Sequence, residues 1–276
     1  MRVFIVSGMR NLRLGITLVA FSVFALLILD FVPGSWVSNE KFLNGTVSYV
    51  IVGSIFYGAV HFLGLQSLEY FRIPRLHFKA GVAIALASVF AAQQISDSDN
   101  IHLQPLTAVR GIIFLLAIGF GEEMVSRAFT FGILRKFGQW RAIFISSLIF
   151  GLMHLNPYIG TAWDPWKIYG HIMSAFGFGI FICALMIVTR SIWVAVLFHA
   201  LSDWGVVFDK ASSNATGTDQ WNPGIWEGIT FPLYNVSIMV GAALLLLWIN
   251  RATLPGWMHR LAIKWKLLEP DYLFKA

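Results

Sequence analysis

Eight apolar runs with few charges set the limits of what this chain can fold into. They cover residues 14–32, 45–65, 80–95, 106–134, 142–155, 169–188, 192–208 and 231–250. A helix needs about 20 apolar residues to cross a hydrocarbon core about 30 Å thick. Inside lipid every backbone N–H and C=O must be satisfied by the protein itself, which leaves helices or closed barrels. Barrel strands are segments of about ten residues with alternating polarity, and these runs are longer and continuous. The sequence therefore predicts an all-α, polytopic integral membrane bundle of about eight transmembrane helices, forming a single membrane domain over residues 1–276. Composition agrees: 57% of the 276 residues are hydrophobic and 12% are charged, against about 25% charged in a soluble domain. That excludes a soluble globular domain, a disordered chain and a fibrous repeat.

The first run follows Arg2, Arg10 and Arg13. It is longer than a signal-peptide core and no small-x-small cleavage site follows it, so it reads as an uncleaved span. The net charge of +6 would suggest nucleic acid in a soluble protein. Here the basic residues lie between apolar runs, and membrane topology explains them instead, so no nucleic-acid partner is expected. With a cytoplasmic N-terminus, the inner side holds fifteen of the 20 Lys and Arg residues, among them Arg72, Lys79, Arg135, Lys136, Arg190, Arg260 and Lys264. The outer side holds Lys41, Lys167 and Lys210. By the positive-inside rule both termini are cytoplasmic and the site is reached from the cytoplasm or inner leaflet. The segment after Arg251 alternates basic residues with Trp, Leu and Ile, the pattern either of an amphipathic helix lying on the inner leaflet or of a plain polar tail. Cys183 lies inside an apolar run and reads as a packing residue; no CxxC pattern exists.

Ionisable residues deep in a span are expensive, so each is a functional candidate. Three spaced motifs hold most of them. Glu122-Glu123-Met124-Val125-Ser126-Arg127 reads EExxxR. On a helix Glu123 and Arg127 are i and i+4 and pair, while Glu122, about 100° around, is left over as a candidate base. Phe150 and His154 form FxxxH, with Asn156-Pro157 ending the helix beside a polar cavity. His199 and Asp203 form HxxxD, where the carboxylate orients the imidazole. Glu122 lies thirteen residues before Arg135, His154 thirteen after Arg141, and Asp203 thirteen after Arg190. At about 1.5 Å per residue these three groups sit about 20 Å from the basic helix ends, level with one another. His61 and His171 lack a partner at helical spacing and read as packing or cavity-lining residues.

The ordered set EExxxR, FxxxH and HxxxD resembles the CPBP family, the CAAX-protease and bacteriocin-processing family also called Abi, of intramembrane glutamic endopeptidases. The likeness covers the core from Glu122 to Asp203, inside the expected catalytic region 106–208. It implies that Glu122 with His154 activates a water for attack on a peptide carbonyl. It implies further that His199 and Asp203 face the oxyanion, and that Glu123 and Arg127 support the site. Eukaryotic members cut prenylated CAAX proteins; prokaryotic members are linked to peptide maturation and self-immunity. CAAX-cleaving members often carry Asn where this chain has Asp203. An ionised Asp203 cannot donate to an oxyanion, so it acts either when protonated or by holding His199 charged.

The expected function is thus an intramembrane endopeptidase in a prokaryotic cell membrane. Its partners are a peptide or protein substrate, prenylated or membrane-associated, and the lipid bilayer. The resemblance implies a metal-free site without cofactor. Three rivals stay open on the residues alone. Glu122, Glu123, His154 and His199 are also a plausible zinc ligand set, mid-membrane Glu, His and Asp also serve proton-coupled transporters, and a catalytically silent scaffold is the third.

Overall fold

The computed structural model describes residues 41–74, 77–98, 101–155, 165–209, 224–250 and 256–265. Every regular element among them is helical. The expected first span, residues 14–32, and the Asn156-Pro157 stop lie outside the described residues. The main helices are α1 (Lys41–Phe62), α2 (Phe78–Asp97), α3 (Pro105–Glu123), α4 (Phe131–Leu134), α5 (Gln139–Met153), α6 (Pro165–Thr189), α7 (Ile192–Ser202), α8 (Gly205–Phe208), α9 (Ile225–Ile249) and α10 (Gly256–Lys264). Pro105 opens α3, where its missing N–H costs no helical bond.

Four described helices, α1, α2, α6 and α9, are long and apolar enough to cross a membrane. The runs at 142–155 and 192–208 give shorter helices, and α7 breaks at Asp203 and Trp204 before α8 resumes. The run at 106–134, expected as one span, is α-helical to Glu123, then winds as a π-helix over Met124–Thr130 before α4. The wider π turn gives Thr130 Oγ1 a hydrogen bond to the Val125 carbonyl at 2.8 Å. All seven π residues are buried, and π segments in α-helices often mark functional sites.

Helix α6 is the axis of the bundle. It packs against α2, α5, α7 and α9, and 67% of its most apolar stretch is buried, against 22–28% for α1, α2 and α9. Those three helices instead expose apolar side chains such as Ile51, Ile55, Val89 and Leu245, as lipid-facing helices do. Two glycines let the site helices close up. A Cβ at Gly119 of α3 would lie 2.5 Å from the Val196 carbonyl of α7, and one at Gly121 would lie 2.9 Å from the Tyr49 carbonyl of α1. Small residues at such crossings let helix backbones touch, which brings the next residues of α3 against both neighbours.

The basic end of the bundle is tied together by a short 3-10 turn, Gln66–Tyr70. Ser67 Oγ donates to the Ala128 carbonyl in the π segment, and Glu69 pairs with Arg135 at 3.7 Å. Burial, together with the Glu69 carboxylate, pushes the Tyr70 phenol up to about 12. Helix α10 carries exposed Trp257 and Leu261 beside Arg260 and Lys264, the amphipathic composition expected of the C-terminal segment.

Candidate active site

Glu122 and Glu123 are the last two residues of α3 before the π segment, and they point to different partners. Glu123 is fully buried, as is Arg127, and Arg127 Nε sits 3.2 Å from Glu123 Oε2. The i,i+4 pairing expected from sequence is present, although the backbone between the two is π rather than α. The other carboxylate oxygen, Glu123 Oε1, lies 2.7 Å from His199 Nδ1 on α7. Arg127, Glu123 and His199 therefore form one buried chain, with the carboxylate fixing the orientation of the imidazole. The Arg127 guanidinium also lies 4.3 Å over the ring of Phe150.

The far nitrogen of the imidazole, His199 Nε2, faces two further carboxylates. Glu122 Oε2 is 3.6 Å away and Asp203 Oδ2 3.5 Å away. Their side chains keep 18% and 28% exposure, while His199 keeps 3%. The open groups are thus the two carboxylates and the shielded group is the histidine that joins them. With carboxylates at both ring nitrogens, hydrogen bonding at both requires a proton on each nitrogen or a protonated carboxyl opposite one of them. Glu122 is not left unpaired, as the helical spacing suggested: it faces His199 Nε2 at 3.6 Å, and the Tyr49 phenol of α1 lies close to it.

His154 is the residue that ends α5. Its Nδ1 lies 2.8 Å from the Phe150 carbonyl. A carbonyl only accepts, so Nδ1 carries the proton and the neutral ring keeps Nε2 as an acceptor. The Phe150 ring packs against both histidines, with centroids 4.6 Å from His154 and 5.9 Å from His199. His171 of α6 stacks edge-on to His154 at 4.9 Å, in the cavity-lining place expected of it. His61 lies elsewhere, exposed on α1 and bonded to the Tyr57 carbonyl at 2.9 Å.

A cavity of about 500 Å³ opens beside these groups. His154, His171, His199 and Asp203 line it. Gln93 and Gln94 of α2 and Asn235 of α9 line it as well. All three sequence motifs therefore converge on one region. No hydrogen bond joins Glu122 to His154 among the described residues; His154 lines the cavity, and Glu122 reaches it through His199. Sequence reasoning missed Tyr49, which has no ionisable partner at helical spacing on its own helix. Its only signal is a phenol well inside an apolar run, a polar tip that needs a partner when buried.

The cavity's position along the helices bears on access. From Lys79 to Gln93 on α2 is fourteen residues, and from His171 to Thr189 on α6 eighteen. At about 1.5 Å per residue the cavity lies roughly 20–27 Å from the end of the bundle that carries Arg72, Lys79 and Arg190.

Cys183 is buried, with its Sγ 3.8 Å from Ser146 Oγ, a packing role. Among the described residues no three His, Cys, Asp or Glu side chains converge as a metal-binding group. No curated protein and no solved structure matches the chain. Residues 104–205 match the family model described as Type II CAAX prenyl endopeptidase Rce1-like, a stretch that contains Glu122, His154, His199 and Asp203. Over that stretch the chain is similar to the CAAX-protease family that its three motifs resemble.

Proposed function

We propose that the protein is an intramembrane glutamic endopeptidase of about eight spans that hydrolyses a peptide bond with a protein-activated water. The observation that carries this reading is the meeting of Glu122, His199 and Asp203 around one imidazole nitrogen, at the edge of a cavity bordered by His154. Glu122 is the general base. It takes a proton from the water as the oxygen attacks the carbonyl carbon, and His154 Nε2 accepts the water's second hydrogen bond and orients it. The His199 Nε2–H stabilises the oxyanion of the tetrahedral intermediate, with Asp203 acting through His199. Collapse of the intermediate breaks the C–N bond, and the proton held by Glu122 passes to the leaving amine. Glu123 and Arg127 are positioning residues. Gln93, Gln94 and Asn235 present donors and acceptors for the backbone of an extended peptide.

Peptide hydrolysis tests the proposal. Purified protein in detergent is given a panel of quenched peptides, farnesylated CAAX peptides among them, with and without a strong zinc chelator. Chelator-insensitive cleavage is expected. Cleavage lost with the chelator would move the site to zinc chemistry, and substrate-dependent proton flux in vesicles without cleavage would make it a transporter.

With the basic end cytoplasmic, the cavity falls in the outer part of the membrane, so we place substrate entry on the side away from that end. It is the opposite of the cytoplasmic entry expected from charge alone. Ser202 lines the cavity, and Cys183 is buried. A cysteine introduced by Ser202→Cys is therefore expected to react with a membrane-impermeant maleimide added from outside intact cells. Reaction only in inside-out vesicles would reverse the assignment.

A further inference from the structure

A second cavity, of about 710 Å³, lies at the opposite end of the bundle, where the start of α2 meets the ends of α6 and α9. Its rim carries Arg72, His77, Lys79 and Arg190, and among the described residues no carboxylate lines it. Glu69, the acid nearest in sequence, is taken by Arg135. None of the ion pairs among the described residues uses Arg72, Lys79 or Arg190. Arg190 sits at φ +54, the one non-glycine residue with positive φ among those described. A residue held in that sparsely populated region is a pointer to function. His77 caps α2 by accepting from the Ala80 N–H, and the helix start adds positive potential on the same side.

The rim is not purely polar. Ile73 and Phe78 also line the cavity and are 85% and 83% exposed, far too open for packing residues. A compact hydrated anion has no use for them. An amphiphile fills both halves: its phosphate takes the basic groups and its first acyl carbons lie along Ile73 and Phe78. Basic pockets between helices at the membrane surface hold anionic headgroups in this way.

We infer that this cavity binds the phosphate headgroup of an anionic phospholipid, held by Arg72, Lys79 and Arg190 and flanked by Ile73 and Phe78. The site is separate from the proposed peptidase centre and does not depend on that reading.

The test is lipid retention by the full chain. The protein is reconstituted in nanodiscs of phosphatidylcholine with a minor share of phosphatidylglycerol, and the lipids it keeps are counted by native mass spectrometry. Wild type is expected to enrich phosphatidylglycerol at least tenfold over its share. The variant Arg72→Gln/Lys79→Gln/Arg190→Gln is expected to lose that enrichment, while Arg72→Lys/Arg190→Lys keeps most of it and shows that the positions accept change. The control Arg260→Gln/Lys264→Gln on α10 is expected to enrich like wild type. Equal retention of both lipids by wild type, an unaltered triple variant, or an equal loss in the control would overturn the inference. So would displacement of the lipid by millimolar inorganic phosphate, which would reassign the cavity to a free anion.

Discussion

Glu122→Gln is expected to abolish peptide hydrolysis while leaving the protein folded. The amide has the shape of the carboxylate and can still meet the Tyr49 phenol that the carboxylate meets in the wild type. It cannot take a proton from water. Removing a general base lowers the rate by about 10²–10⁴-fold, or about 3–5 kcal/mol of transition-state stabilisation. The loss belongs in kcat, because the cavity-lining residues Gln93, Gln94 and Asn235, which we propose to bind the peptide, are untouched. Quenched-peptide kinetics give the split between kcat and KM, and an unchanged thermal unfolding midpoint checks the fold. A variant within about threefold of wild-type kcat would remove Glu122 from the base role and leave His154 as the candidate.

What is legible in the sequence divides along a physical line. Contacts between residues four apart are legible from the helical period, and Glu123 with Arg127, Phe150 with His154 and His199 with Asp203 all meet, the first even across the π backbone. The level depth of Glu122, His154 and Asp203 follows from the same fixed rise, and these groups do gather at one region. Contacts between helices carry no such period. That Glu123 reaches across to His199, and that Glu122 meets Tyr49, depends on how closely α3 approaches α7 and α1, which Gly119 and Gly121 decide. The π segment is hidden as well. Its seven residues are apolar or small apart from Arg127, and nothing in that pattern separates a π turn from an α turn. Charge bias reports orientation, whereas access depends on which half of the bundle the cavity occupies.

Arg127→Met is expected to destabilise the protein more than any other single change at the site. The guanidinium is fully buried, and its ion pair with Glu123 is its one charge partner among the described residues. Methionine fills much of the volume but leaves the Glu123 carboxylate buried with only His199 to compensate it. Breaking one side of a buried ion pair costs about 3–5 kcal/mol, whereas replacing both partners by groups of similar shape is often near neutral. The stacking of Arg127 on Phe150 adds about 2 kcal/mol where the cation is desolvated. The double variant Glu123→Gln/Arg127→Met is therefore expected to recover most of the lost stability, because the orphaned charge is gone. Activity is expected to stay low in the double variant, since a neutral amide at position 123 holds the His199 imidazole less firmly than a carboxylate does. Thermal unfolding of wild type, both single variants and the double variant forms a complete cycle. Additive losses around it would mean that Arg127 and Glu123 are not coupled, and that the buried chain to His199 does not hold the site together.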